Sequence, residues 1–205
     1  MTVMAPSETS PEQNVAVPSG ASRLLDILER AFHAGRAEWL FLRELRVGTG
    51  RRSNNNAQRL DAFALNSLAH LGMKRVCYEV KTSRADYLCE LKHPLKRRIG
   101  MRYSNEFYFV VPGGMLSIQE VPSECGLIEV GTATYDEWKL IIRRQAGFFS
   151  YDPPTGEYAI ITVPAPWRDT PGPTWELVAA MLRNQRRELE DRPPVVKQQQ
   201  RFTFE

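Results

Sequence analysis

Two short segments separated by a reversal constrain this chain more than any other feature of its sequence. Residues 59–65 alternate between two sets of side chains, and residues 75–81 are rich in β-branched and aromatic residues, which favour strands. The stretch between them contains Asn, Ser and Gly and predicts a reversal. Alternate side chains of a strand lie on one face, so Glu79 and Lys81 share a face. Antiparallel pairing of the two strands would bring Asp61 beside them.

The order of these residues, an Asp followed about seventeen residues later by Glu-X-Lys, resembles the active-site motif of the PD-(D/E)XK nuclease superfamily. Residues 82–87, 105–112 and 121–128, with a basic segment between the first two, are similar to one branch, the MmcB-like DNA-repair nucleases. The likeness covers about residues 40–130. Leu60 stands where the superfamily has a Pro before its first Asp. The resemblance implies an α/β fold with a restriction-endonuclease-like αβββαβ core, a mixed central sheet flanked by helices.

The motif residues have a chemistry suited to phosphodiester hydrolysis. That reaction needs a deprotonated water, a neutralised phosphate and a stabilised leaving oxygen, and one or two Mg²⁺ ions supply all three. Mg²⁺ takes oxygen ligands, commonly with only one or two protein carboxylates. We expect Asp61 and Glu79 to bind Mg²⁺, or Mn²⁺ as a substitute, with the Val80 carbonyl as a third ligand. Lys81 would position the attacking water. The plain alternative is a cross-strand ion pair on a solvated face.

Three further residues lie near the motif, and two of them have two interpretations. Superfamily members often carry a further acidic residue upstream, so Glu44 is either another metal ligand or a solvated surface residue. Ser83 either contacts a phosphate or only caps the next helix. Asp86 lies in the first turn of that helix, where a carboxylate stabilises the helix dipole, and this role alone accounts for it.

A basic segment after the motif is the predicted DNA-binding surface. Lys and Arg side chains neutralise phosphates and release counterions, and an aromatic ring stacks on an unpaired base. A solvated helix face is the alternative. The predicted DNA-binding residues are Ser83, Arg84, Lys92, Lys96, Arg97, Arg98, Arg102 and Tyr103.

Hydrophobic periodicity predicts the other elements of the fold. The run Trp39–Val47 fits a strand, although a helix fits it too, and residues 48–56 are predicted as a polar loop. Pro94 is expected to kink the helix predicted over 85–98 or to end it early. The remaining expected elements are three helices, over 23–33 (capped by Ser22), 85–98 and 175–190 (capped by Thr174), and four strands, over 106–111, 115–120, 126–130 and 138–144.

Shifts in composition divide the chain into four parts. Residues 1–20, rich in Pro, Ser, Thr and Ala, are predicted to be disordered. Residues 21–148 form the predicted nuclease-like domain. Residues 149–190 are predicted to be a C-terminal extension with one helix, and residues 191–205 a flexible tail.

Composition narrows the class of protein. A net charge of +3 over 205 residues is only mildly basic, so the argument for nucleic acid depends on local clustering. The three cysteines have no CxxC spacing, which argues against a disulfide framework or a zinc site. No apolar run approaches the length of a membrane span, and the N-terminus lacks the order of a secretion signal. We expect a cytoplasmic protein, nucleoid-associated if bacterial, without a membrane partner.

Together these patterns predict a metal-dependent DNA nuclease that acts in repair or recombination. A non-catalytic DNA-binding module on the same fold is the first alternative, and a structural or protein-interaction domain is the second. DNA is the expected partner, with repair or recombination proteins as further ones. A homodimer is expected if both strands of a duplex are cut, because that requires two active sites. Endonuclease and exonuclease action, and DNA and RNA substrates, remain open.

Overall fold

The computed structural model describes residues 20–47, 58–143 and 148–190. Residues 1–19 of the predicted N-terminal segment, the predicted loop 48–56 and the predicted tail lie outside these ranges. In chain order the elements are α1 (Gly20–Phe32), β1 (Trp39–Val47), β2 (Gln58–Asn66), β3 (Arg75–Val80), α2 (Arg84–Leu91), α3 (Arg98–Tyr103), β4 (Glu106–Pro112), β5 (Gly126–Thr132), α4 (Tyr135–Arg143), β6 (Phe149–Asp152), β7 (Glu157–Val163) and α5 (Trp175–Glu190).

The described strands form one seven-stranded sheet in the order β1-β2-β3-β4-β5-β7-β6. β1, β2 and β3 pair antiparallel, β3, β4 and β5 pair parallel, and β7 pairs antiparallel with both β5 and β6. A parallel pair needs a crossover connection, and α2 and α3 lie in the crossover from β3 to β4. The predicted mixed α/β sheet is therefore confirmed, as are the strands at 39–47 and around the motif.

The sheet is covered on both faces. Phe63, Phe109 and Leu127 are buried on one face together with side chains of α2, α3 and α5. Ala62 and Val110 are buried on the other face, beneath α1. Burial on both faces explains why the strand at the centre of the sheet is a continuous apolar run in the sequence. Each fully buried large side chain contributes about 1.5–3 kcal/mol of transfer free energy, which fixes the register of the central strands.

The helices begin and end at slightly different residues from those expected. α1 begins at Gly20, so Ser22, the predicted cap, lies within its first turn. The helix expected over 85–98 is divided: α2 ends at Leu91, a 3-10 turn spans Pro94–Arg97, and α3 follows. The Pro94 ring excludes a continuous helix, and the expected early stop is confirmed. None of the described helices combines the length and apolar character needed to cross a bilayer.

The strand predicted over 138–144 is wrong, because residues 138–143 belong to the helix α4, and residue 144 lies outside the described residues. Thr134 and Glu137 form a capping box: the Glu137 carboxylate accepts from the Thr134 N–H at 2.8 Å, and the Thr134 hydroxyl accepts from the Glu137 N–H at 3.4 Å. Trp138 is buried and stacks on Tyr151, with 5.1 Å between ring centroids. The cap starts the helix, and the Trp138 face packs it against β6 and β7.

The strand predicted over 115–120 is also wrong. A turn follows β4, and a 3-10 turn spans Ile118–Glu120. The Glu120 carboxylate accepts from the Ser117 N–H at 2.9 Å, so the backbone polar groups here are satisfied locally instead of by a strand ladder.

Residues expected to form an extension with one helix complete the sheet. β6 and β7 are joined by a turn with Gly156 at a φ of 69°, and β7 pairs with β5. The final helix, α5, begins as predicted after Thr174, whose hydroxyl accepts from the Leu177 N–H at 3.3 Å. Asn184 on α5 donates a 2.8 Å hydrogen bond to the Arg43 carbonyl, which holds the helix against β1.

Candidate active site

The register of β2 and β3 brings Asp61 and Glu79 together. Ala62 pairs with Tyr78, so continuing the antiparallel register by one residue puts Asp61 opposite Glu79. Residues directly opposite each other in an antiparallel pair project to the same face. The Val80 N–H donates a 2.9 Å hydrogen bond to Oδ2 of Asp61. Both carboxylates therefore lie on the face covered by α2, as the alternation of the sequence predicts.

Lys81 continues the line of β3 into the same site. Its N–H donates to the Val110 carbonyl at 3.0 Å, which keeps the backbone extended one residue beyond the strand. Its Nζ is 2.8 Å from Oε1 of Glu79, and only 7% of the Lys81 side chain is exposed. The three residues of the predicted motif thus share one location at the end of β3.

Glu90 is a fourth charged residue of the site that the sequence argument overlooked. It lies on α2, is buried, and has Oε2 3.5 Å from Nζ of Lys81. Asp86, one turn earlier on the same helix, is 3.9 Å from that Nζ and half-exposed. The i, i+4 spacing of Asp86 and Glu90 puts both acids on one helix face, and this spacing would have indicated Glu90.

Burial raises the pKa of both strand carboxyls. Burial raises the pKa of Glu79 to about 7, and the charge of Asp61 adds to the shift. Burial also raises the pKa of Asp61, against the opposing effects of the Val80 hydrogen bond and of Lys81. The site therefore concentrates two carboxyls whose ionised forms lack full compensation by positive charge.

Lys81 stays positively charged in this environment. Burial alone would lower its pKa, but the adjacent Glu79 carboxylate, together with Glu90 and Asp86, outweighs that effect and leaves the pKa raised. An ammonium flanked by three acids is a hydrogen-bond donor with a fixed position. It is not a base at neutral pH.

Glu44 lies opposite Asp61 in the β1–β2 register, between the paired residues Arg43 and Leu45. Its φ of 50° is left-handed, which disturbs the alternation of buried and exposed positions along β1. The side chain is 64% exposed, and Oε1 is 3.7 Å from Nη1 of Arg59. Among the described contacts Glu44 is thus a surface acid beside the site, and its role as a metal ligand stays a prediction.

Ser83 and Arg84 lie at the start of α2. The Ser83 hydroxyl accepts from the Asp86 N–H at 3.2 Å, so the predicted cap is confirmed. Arg84 forms a two-pronged ion pair with Glu120, with Nη1 2.9 Å from Oε2. Any contact of Arg84 with a phosphate would compete with this exposed pair.

The basic segment is divided into buried and exposed members. The expectation that Arg97 lies on an exposed face is wrong: Arg97 is 6% exposed, donates to the Glu90 carbonyl at 3.3 Å, and lies over the Phe109 ring. Pro94 and the 3-10 turn after it redirect the chain and turn this side chain inward. Tyr103, expected to stack on a base, is also buried, beneath Arg102. The basic residues of this segment that remain exposed are Lys92, Lys96, Arg98 and Arg102.

Comparison with known proteins identifies a likeness of fold only. No protein-family model matches the chain, and no curated protein matches it in sequence. The structure is similar to that of a protein of unknown function from Silicibacter pomeroyi, with a TM-score of 0.54 and 18% sequence identity, over 85% of this chain and 91% of that one. The shared architecture extends over most of both chains, and the inference of function has to come from the residues of the site.

Proposed function

We propose that this chain is a metal-dependent nuclease that hydrolyses phosphodiester bonds in DNA, in repair or recombination. The observation that carries the proposal is the convergence of Asp61, Glu79 and Lys81 on one face at the end of β3. The element order α1-β1-β2-β3-α2-β4, with α3 as an addition before β4, supports the αβββαβ core implied by the resemblance to the PD-(D/E)XK superfamily.

The donor set of the site fits a hard divalent cation. Asp61 and Glu79 offer carboxylate oxygens, and a bound cation would offset the cost of burying their negative charges, which raises the pKa of each. Within the described parts of the chain, no three His, Cys, Asp or Glu side chains are grouped to hold a metal. In this proposal the ion takes Asp61 and Glu79, with Glu44 as the further acid that the resemblance implies, and completes its shell with water and backbone oxygens, such as the Val80 carbonyl.

Each of the three motif residues has a separate task in this proposal. Asp61 is anchored through Oδ2 to the Val80 N–H, which leaves Oδ1 for a ligand. Glu79 is held by Lys81 at 2.8 Å. A bound Mg²⁺ would lower the pKa of the attacking water and neutralise charge on the phosphate. Because Lys81 is protonated, it orients the water and stabilises negative charge on the phosphate, and it does not remove the proton.

Cleavage assays on defined substrates test the proposal. Full-length protein is incubated with labelled single-stranded, nicked, branched and duplex DNA, with Mg²⁺, with Mn²⁺ or with a chelator. We expect cleavage of at least one substrate with metal and none with chelator. Asp61→Asn should lower the rate at least about 100-fold. Asp136→Asn, which removes a 94% exposed carboxylate on α4, is the matched control and should leave the rate unchanged.

Two outcomes would contradict the nuclease proposal. Equal cleavage by the wild type and by Asp61→Asn would attribute the activity to a contaminant or to another site. Salt-sensitive DNA binding without turnover on any substrate would favour a non-catalytic DNA-binding module on the same fold.

A further inference from the structure

A cavity of about 550 Å³ lies between α5 and the corner formed by β1, β2 and β3. It is on the sheet face that carries Asp61 and Glu79, but neither residue lines it. Its walls are apolar and come from strands and helix alike, and its volume lies in the range of about 300–1,000 Å³ that is typical of small-molecule sites. The side chains that matter for the argument are Leu40, Phe63, Leu65, Leu177, Met181 and Arg75.

Arg75 is the charged residue of this wall, and the described structure holds its guanidinium firmly. Nη1 donates to the Pro171 carbonyl at 3.0 Å, and Nη2 donates to the Thr170 hydroxyl at 2.8 Å and to its carbonyl at 3.5 Å. Nε donates to the Asn105 side-chain oxygen at 3.4 Å. A guanidinium has five N–H donors, so these bonds leave one N–H on Nη1.

The charge of Arg75 is not neutralised by these partners. All of its acceptors are neutral oxygens, and in residues 20–47, 58–143 and 148–190 no carboxylate forms an ion pair with it. The residue is only 7% exposed, and its burial lowers its pKa. A buried cation without a counter-ion is costly, and an anion that reached the cavity wall would remove that cost.

We propose that this cavity binds an apolar molecule with a single carboxylate head, such as a medium-chain fatty acid. The head pairs with Arg75, and the tail packs against the leucine, phenylalanine and methionine side chains. A second copy of the chain is the other conceivable occupant, because Met73 and Leu182 at the rim are 44% and 64% exposed. The charge of Arg75 favours the carboxylate ligand over a second copy, because a buried guanidinium in an apolar recess complements a narrow acidic ligand.

Calorimetric titration with three ligands of equal chain length tests the head group. Decanoate, decanol and decyltrimethylammonium are titrated separately into the full-length protein, below their aggregation concentrations. We expect saturable one-to-one binding of decanoate, with an affinity at least about tenfold above that of decanol and of the cation. Absence of decanoate binding, or equal affinity for the cationic ligand, would overturn the proposal.

A cavity-filling variant tests whether decanoate binds in this cavity. Met181→Trp places a larger side chain into the recess and should weaken decanoate binding at least about tenfold. Arg183→Trp introduces the same residue on an exposed position of α5 and should not change binding. If circular dichroism shows that Met181→Trp fails to fold, Val178→Phe fills the same cavity. Unchanged decanoate binding in a folded filled variant would overturn the proposal, as would a dimer in sedimentation that dissociates in that variant while decanoate does not bind.

Discussion

The backbone N–H of Val80 donates a 2.9 Å hydrogen bond to the carboxylate of Asp61. The bond joins β2 to β3 at the point where both strands carry an acid on the same face. It gives Asp61 a structural task, because it satisfies a backbone donor of a buried residue, and it also leaves one oxygen open to a ligand. Substitutions at Asp61 should therefore separate these two tasks.

We expect Asp61→Asn and Asp61→Ala to differ in stability. Asn keeps an oxygen that accepts from the Val80 N–H and removes a poorly compensated charge, so its free energy of unfolding in the absence of metal should match or exceed that of the wild type. Ala leaves the N–H without its partner and should cost about 1–3 kcal/mol. Urea denaturation in chelator measures both. Equal stability of the two variants would show that the hydrogen bond contributes little.

The buried acid of α2 should matter more to Lys81 than the exposed one. Glu90→Gln removes a carboxylate 3.5 Å from Nζ in a buried setting, and we expect a loss of roughly 1–3 kcal/mol of stability. Asp86→Asn removes one at 3.9 Å from an exposed position and should cost less than about 1 kcal/mol. Chemical denaturation compares the pair. In a cleavage assay Glu90→Gln should lower kcat more than it changes KM, because Glu90 positions Lys81 without touching the substrate.

Substitutions of Arg97 and of the exposed lysines should affect different properties. Loss of Arg97 should lower stability, whereas loss of Lys92 and Lys96 should weaken DNA binding. Arg97→Met removes a buried hydrogen bond to the Glu90 carbonyl and should cost roughly 1–3 kcal/mol of stability, whereas the double variant Lys92→Ala, Lys96→Ala should not alter stability. In DNA binding measured by fluorescence anisotropy against salt, the double variant should reduce the slope of log affinity against log salt by about 1 for each lysine that contacts a phosphate. An unchanged slope would exclude these lysines from the DNA surface.

The motif strands were predictable because their signal is local. A period of two fixes the face of each side chain, so the sequence alone predicts that Glu79 and Lys81 lie together, and the reversal brings Asp61 to them. The i, i+4 spacing from Asp86 indicates the helix face of Glu90, but its burial against Lys81 depends on how α2 packs on the sheet, and the burial of Arg97 depends on the direction that the chain takes after Pro94. Both are tertiary properties, to which charge alone is a poor guide.

The two missed strands and the missed helix have different causes. β7 contains a β-branched run, but only one helix was predicted for residues 149–190; the prolines and glycine around β7 form the hairpin turn before it and the loop after it. The α4 segment is short, and its two isoleucines suit a strand as well as a helix. The capping box of Thr134 and Glu137 was the decisive signal there, and it lies just before the apolar residues.

The buried His33 should make stability depend on pH. Burial, together with the charges of Arg36 and Lys74, lowers its pKa from 6.5 to about 4, and Nε2 is 2.9 Å from the Tyr78 hydroxyl. The unfolded chain binds the proton more readily, so the free energy of unfolding should fall by up to about 3 kcal/mol from this residue as pH drops from about 6.5 to about 4. Urea denaturation across this range should show that the free energy of unfolding of His33→Phe falls less with decreasing pH than that of the wild type. The exposed control His70→Gln should follow the wild type. Parallel curves for His33→Phe and the wild type would contradict the prediction.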